Sequence, residues 1–313
     1  MIRNIFLLVL SALCAWSCTA LDDEIVQGPA TEPQPADAQH SLRINVAPKP
    51  AFTEAAINMP DGTPLPQTRT TQTDKGMKWE EGDVVWLFAK FHKGKEEYGF
   101  YSALKYTGGA WRYLTEDEAS TLKVNNIPGF NRTLICDNPN GSIEYDHVDI
   151  YANYVGKDWP NKDGDIHIPA PGSDEAIPVM RANSSTSSFN QPITLSFTYY
   201  CSRLRLPAGC SLQVDAYKYW TKYHLNNNSP DIETAGTSLH LDATSADRDI
   251  YLLPVADNQG IPAHITLTRS GGATWTFTPR LGTGTATASA TDYYGQSYTL
   301  PDLGNGSVTP GGM

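Results

Sequence analysis

From residue 42 to residue 300, apolar and polar positions alternate in short runs punctuated by Gly, Pro, Asn and Ser. Leu42–Val46 (LRINV) sets Leu42, Ile44 and Val46 on one face and Arg43 and Asn45 on the other, so a strand there is buried on one side only. Val84–Phe91 (VVWLFAKF) is apolar on both faces, as a core strand is. Gly99–Tyr106, Thr133–Cys136 and His147–Tyr154 follow, and in the last Val148, Ile150, Ala152 and Tyr154 share a face. The second half offers Ile193–Leu206, Ser211–Trp220, Ser238–Asp242, Ile250–Val255, His264–Arg269, Trp275–Pro279 and Gln296–Leu300. No segment carries a sustained apolar stripe of period 3.6, so helices are expected to be few and short. Short strands separated by turn residues predict an all-β protein of the sandwich or barrel kind.

Ile193–Leu206 contains an internal test of this reading. Its apolar set starts on odd positions (Ile193, Leu195, Phe197, Tyr199, Cys201) and ends on even ones (Leu204, Leu206). A period of two cannot change phase without an extra residue, which predicts a bulge or break near Ser202. The weakest pattern between the halves is Pro171–Gln191, with a Ser-rich run after Arg181. This is a natural junction, placed near residue 185, giving domains over 42–184 and 185–313.

The length of 313 residues suits two domains. With 40% hydrophobic and 18% charged residues the chain can form packed cores. A formal net charge of −11 argues against a nucleic-acid partner, which needs clustered Lys and Arg to displace counterions. Beyond the first twenty residues no apolar run is long enough to span a bilayer.

Residues 1–17 read as an export signal: Arg3 is the positive end and Ile5–Leu13 a short apolar stretch. Ser17-Cys18 at its end resembles the bacterial lipobox, although Ala15 stands where that motif usually has Leu. The resemblance implies that Cys18 carries diacylglycerol and palmitate as the first mature residue; the alternative is plain secretion after ordinary signal cleavage. Asp22-Asp23-Glu24 resembles the signal that sends Bacteroidetes-type lipoproteins to the outer face of the outer membrane. Residues 18–41, rich in Pro, Ala and Gln, read as a flexible tether. Of five cysteines, Cys14 goes with the signal and Cys18 with the lipid, leaving Cys136, Cys201 and Cys210. If Leu206–Gly209 is a hairpin turn, Cys210 faces about Arg205 and Cys201 lies roughly 13 Å beyond, too far for a bridge. All three are expected as buried small hydrophobes.

No catalytic constellation stands out: there is no Gly-rich phosphate loop, no HExxH and no GxSxG. The seven histidines are dispersed, with none at metal-ligand spacing, so neither metal nor cofactor is expected. Asp163-Gly164-Asp165 lacks the later acidic ligands of a calcium loop and reads as a solvated turn. In Tyr217–His224, Tyr217, Tyr219 and Tyr223 share one strand parity and Trp220 has the other. Exposed, with Trp111, they would form platforms for sugar rings or a partner; otherwise they cover sheet and core.

Lys78-Trp79-Glu80-Glu81-Gly82-Asp83-Val84-Val85-Trp86-Leu87-Phe88 resembles the fimbrillin family of Bacteroidetes surface proteins, in which W-x-x-G-D-x-I/V-x-L/V-F follows a Thr-Arg segment, here Thr68-Arg69-Thr70. Asp149–Tyr154 and Leu195–Leu206 agree, while the family's F-x-H reads Phe197-Thr198-Tyr199. The resemblance spans roughly residues 18 to 300. It implies two tandem transthyretin-like β-sandwich domains, exported as a lipoprotein, with stalk, tip or anchor roles in fimbriae. In polymerising members an Arg-specific protease removes the lipidated segment with the first strand, and a strand of the next subunit fills the groove. Here the exchanged strand is Leu42, Ile44 and Val46, and the cut falls after Arg69; Arg43 is the poorer site because it sits inside the strand. In a subunit that is never cut, Arg69 is an ordinary loop arginine.

These observations lead to a non-enzymatic fimbrial or adhesin-like subunit, partnered by other subunits and by a host or bacterial surface ligand. The alternative is a glycan-binding surface lipoprotein of a polysaccharide-uptake system. Because membrane residence rests on acyl chains alone, Cys18→Ala should move the protein from the membrane to the soluble fraction. Unchanged fractionation of the variant refutes the anchor.

Overall fold

The computed structural model describes residues 41–55, 78–138, 140–161, 164–173, 175–215, 218–224, 229–233, 238–253, 264–272, 274–277 and 294–300. Within them the chain is almost entirely β. The first strands are β1 (Ile44–Val46), β2 (Thr53–Glu54), β3 (Val84–Lys93), β4 (Glu96–Thr107), β5 (Ala110–Tyr113), β6 (His147–Tyr154) and β7 (Asp165–His167). Next come β8 (Met180–Thr186), β9 (Ile193–Leu195), β10 (Thr198–Tyr199), β11 (Ser202–Leu206), β12 (Cys210–Asp215) and β13 (Tyr219–His224). The last are β14 (Ser229–Glu233), β15 (Leu239–Leu241), β16 (Arg248–Leu252), β17 (His264–Arg269), β18 (Thr274–Phe277) and β19 (Gln296–Thr299). The one α-helix among the described residues, α1 (Glu116–Thr121), is six residues long. A Thr115/Glu118 capping box starts it, supplying partners to backbone N–H groups that the first turn leaves free.

A six-stranded sheet runs β10-β8-β6-β3-β4-β5, and the doubly apolar β3 lies inside it, paired antiparallel to β4 and β6. Val85, Leu87, Ala89 and Phe91 face one core, joined there by Ile150 and Ala152 of β6 and by the small parallel sheet of β1 and β9. Val84 and Trp86 point the other way, into a second cluster with Tyr101, Leu114, Ile166 and Tyr223. A third core lies between two four-stranded sheets, β16-β11-β19-β2 and β15-β12-β17-β18, with Leu204, Leu212, Ile250, Ile265, Leu267 and Tyr298 inside. Two sheets closing on one core is the sandwich arrangement that the strand pattern predicts.

The predicted break is present. β10 ends at Tyr199 in the six-stranded sheet, and β11 starts at Ser202 in a different sheet. Cys201 still belongs to the first core, whereas Leu204 and Leu206 belong to the third. Each phase of the apolar pattern thus serves its own core. Ser185 lies within β8, paired to Asp149 of β6. Its Ser-rich composition fits a strand whose alternate residues face outward.

Two details differ from the sequence reading. Pro207–Gly209 is not a hairpin turn but a corner between sheets, with Cys210 opposite Arg269. Thr133–Cys136 forms no strand; Ile135 makes an isolated bridge to Ser41 and is 51% exposed. The cysteine expectation holds, since Cys136, Cys201 and Cys210 are all buried and none is in a disulfide. Burial pushes the Cys136 thiol up to about 11 and that of Cys201 up to about 12. Thiolate is the reactive form, so at pH 8 a maleimide should leave both unlabelled in the folded protein and label them on unfolding in guanidinium. Rapid labelling without denaturant contradicts the burial.

Candidate functional site

The stretch from Ser41 to Ala55 is attached to the fold in an unusual way. β1 pairs parallel with β9, setting Ile44 against Ile193 and Val46 against Leu195, with flanking hydrogen bonds from Ile193 N to Arg43 O (2.8 Å) and from Ala47 N to Leu195 O (2.9 Å). Along its other edge, Leu42 N donates to Leu134 O at 2.9 Å. Leu42 is fully buried, Ile44 and Val46 are half-buried against the first core, and Arg43 and Asn45 are exposed, so the expected face is the one buried.

Beyond β1 the chain crosses to the other half. The Phe52 ring stacks on Tyr199 at 3.7 Å, and the buried Arg203 guanidinium sits 4.5 Å above Phe52. β2 then pairs parallel with β19, and Glu54 meets Arg203 at 3.2 Å. One short segment therefore gives β1 to the first core and β2 to a sheet of the third. Loss of everything before Arg69 would therefore remove a strand from each of the two.

Between the two strands sits a clasp. Lys49 is buried with its Nζ 3.1 Å from Asp83 Oδ2, the side chains being 3% and 1% exposed. The ammonium lies 4.7 Å from the Trp79 ring and 4.6 Å from the Tyr154 ring. Trp79 Nε1 donates to Ala47 O at 2.8 Å. The Tyr154 hydroxyl donates to Asp83 Oδ1 at 2.9 Å, and Glu80 N to Asp83 Oδ2 at 2.8 Å. Gly82, at φ +88°, makes the turn that brings Trp79 and Asp83 onto one site. Burial holds the Lys49 ammonium below its ordinary range against the pull of Asp83, and burial beside Asp83 pushes the Tyr154 phenol well up. The W-x-x-G-D residues thus grip the first segment: Trp79 by an indole hydrogen bond and a π face, Asp83 by charge.

The aromatic segment differs from its sequence reading. β13 carries a bulge between Trp220 and Lys222. The extra residue reverses parity, so Trp220 and Tyr223 join the second cluster while Tyr219 packs on the third core. Tyr223 is fully buried and accepts a 3.0 Å hydrogen bond from Asn153 Nδ2, which makes it a core residue rather than a platform. Trp220 is half-buried, its Nε1 donating to Tyr200 O at 2.8 Å. Trp111 is half-buried too, edge-on to Trp79 at 4.9 Å. Tyr217, Cys18 and Arg69 lie outside the described residues.

Strand register also brings His92 beside His147 and Asp149 of β6. His92 and His147 face each other across β3 and β6, their rings stacked at 3.9 Å and 7°, and His92 Nε2 lies 3.0 Å from Asp149 Oδ2. The ligand atoms lie within 4.8 Å of one another. Imidazole lone pairs lie in the ring plane, and lone pairs in two parallel planes do not converge on one ion about 2.0 Å from each nitrogen. The trio is a stacked pair tied to a carboxylate, and no chelate is built on it. Asp165, from the supposed turn, pairs with Lys222 (3.5 Å) and His224 on the neighbouring β13.

Truncating one partner of a buried ion pair leaves the other uncompensated, at a cost of about 3–5 kcal/mol. Asp83→Ala should therefore lower unfolding free energy by about that much in denaturant titration, and replacing Lys49 and Asp83 together by Met and Leu should cost less than Asp83→Ala alone. Equal losses for the single and double variants contradict a coupled clasp.

No protein-family model and no curated protein matches the sequence. Among solved structures, a candidate cell adhesion protein of Bacteroides thetaiotaomicron is similar at a TM-score of 0.39 and 12% identity, over 86% of this chain and 96% of that one. A second such protein, from Bacteroides fragilis, is similar at 0.36 and 13% identity, over 82% and 91%. A fimbrial protein of Bacteroides ovatus is similar at 0.37 and 11% identity, over 83% of this chain and 48% of its own.

Proposed function

We propose that this chain is a non-enzymatic cell-surface subunit of the fimbrial or adhesin kind, which assembles with other subunits by strand addition. The observation that carries this reading is the segment from Ser41 to Ala55. It pairs parallel with β9 to make a two-stranded sheet and adds β2 as a parallel edge strand beside β19, each through a few register pairs, and its apolar residues pack into cores otherwise built from the rest of the chain. A strand seated in this way can be exchanged for a similar strand from another molecule, because the slots and the unpaired N–H and C=O groups it leaves are what an incoming strand fills. Arg69 lies in the connection between this segment and Trp79, so a cut there severs the segment from the body that holds it. The leader, Cys18 and the acidic residues after it support a place on the outer membrane surface. The glycan-binding alternative relied on exposed aromatics among Tyr217, Tyr219, Trp220, Tyr223 and Trp111; Tyr223 is buried, and Tyr219 and Trp220 pack on different cores.

The test is cleavage by an Arg-specific protease, followed by size-exclusion chromatography and thermal unfolding. Cleavage after Arg69 should give a chain that polymerises or aggregates once the segment is displaced. Hydrogen exchange should rise both in β9 and in β19, since the segment serves both. A cut protein that stays a stable monomer with unchanged unfolding refutes strand addition.

A further inference from the structure

On the face of the six-stranded sheet turned away from the first core, β6, β8 and β10 line up polar residues. Register places Tyr151 beside Asn183, Asn153 beside Arg181, and Thr198 on the other side of Arg181. Together with Ser196 and Tyr200 they line an open cavity of about 540 Å³. That volume lies within the roughly 300–1,000 Å³ of small-molecule sites. Asn183, Ser196 and Thr198 are exposed at its rim.

Arg181 is the one cation in this lining. Among the described residues no carboxylate pairs with it, in a chain with 34 acidic and only 23 basic side chains. Its guanidinium carbon lies 4.2 Å from the Tyr200 ring and 5.8 Å from the Trp220 ring. Nε and Nη2 are buried without a hydrogen-bond partner, and the two aromatic rings flank the group. Trp220 is itself held by its bond to Tyr200 O. A desolvated, oriented guanidinium without a counter-charge binds carboxylates more strongly than a solvated one does.

We infer that this cavity binds a carboxylate-bearing sugar, a uronate unit of an acidic glycan, with Arg181 on the carboxylate and the rim residues on the ring hydroxyls. Amide and hydroxyl groups of Asn183, Ser196 and Thr198 suit a polyhydroxylated ring better than an acidic peptide side chain, which offers them nothing beyond its carboxylate. The site is separate from the clasp, and the inference does not rest on strand addition.

Calorimetric titration of the full chain with an oligogalacturonate, a neutral oligoglucan of equal length and a glutamate-rich peptide tests it. The uronate should bind at least about tenfold more tightly than either of the others, and Arg181→Met should remove about that factor. Asn183→Ala, at the exposed rim, should weaken uronate binding while leaving the unfolding midpoint unchanged, which keeps the test valid if Arg181→Met does not fold. No uronate binding, equal binding of the neutral sugar, preference for the peptide, or full affinity in the Asn183→Ala variant overturns the assignment.

Discussion

The path of the first segment depends on one buried ion pair. Lys49 can be inside only because Asp83 meets it there, and Asp83 can be inside only because Lys49, the Tyr154 hydroxyl and the Glu80 amide satisfy its oxygens. Neither charge is tolerable alone in that environment. Once the pair forms, Ala47 is drawn under the Trp79 indole on one side and Phe52 under Arg203 on the other. β1 and β2 are then delivered to separate sheets. Apolar burial of Leu42, Ile44 and Val46 drives the association, while the clasp fixes its register.

Much of the architecture was legible in the sequence because alternation and burial share a period. His147–Tyr154 and His264–Arg269 are strands with the bounds their patterns mark, and the phase change after Cys201 locates the passage between cores. The first strand and its buried face were legible for the same reason. Thr115-x-x-Glu118, a capping signature, also stood in the sequence, but a six-residue helix carries no apolar stripe to announce it.

What escaped the sequence depends on contacts between distant residues. Lys49, in Pro48-Lys49-Pro50, looks like a solvated residue, and only the fold puts it beside Asp83. The Thr-Glu pair of β2 is too short to show a period and exists because β19 accepts it. The β13 bulge turned a row of tyrosines into contributors to two cores, a shift of phase that composition does not reveal. The Ser-rich run beginning at Arg181 reads as a linker, because a strand whose outer face is polar has the composition of a loop. Its outward positions, Arg181 and Asn183, line the cavity.

The carboxylate of Asp83 has a consequence for selectivity. A slot lined only by hydrocarbon accepts many strands of suitable shape and ranks them by volume. Here the slot ends in an anion that stays costly until a cation reaches it. Whichever segment occupies this position must present a Lys or Arg at a fixed distance from its last apolar residue. Under the proposed strand exchange the slot would discriminate by charge and spacing as well as by fit, and reject apolar impostors by the penalty of a stranded carboxylate.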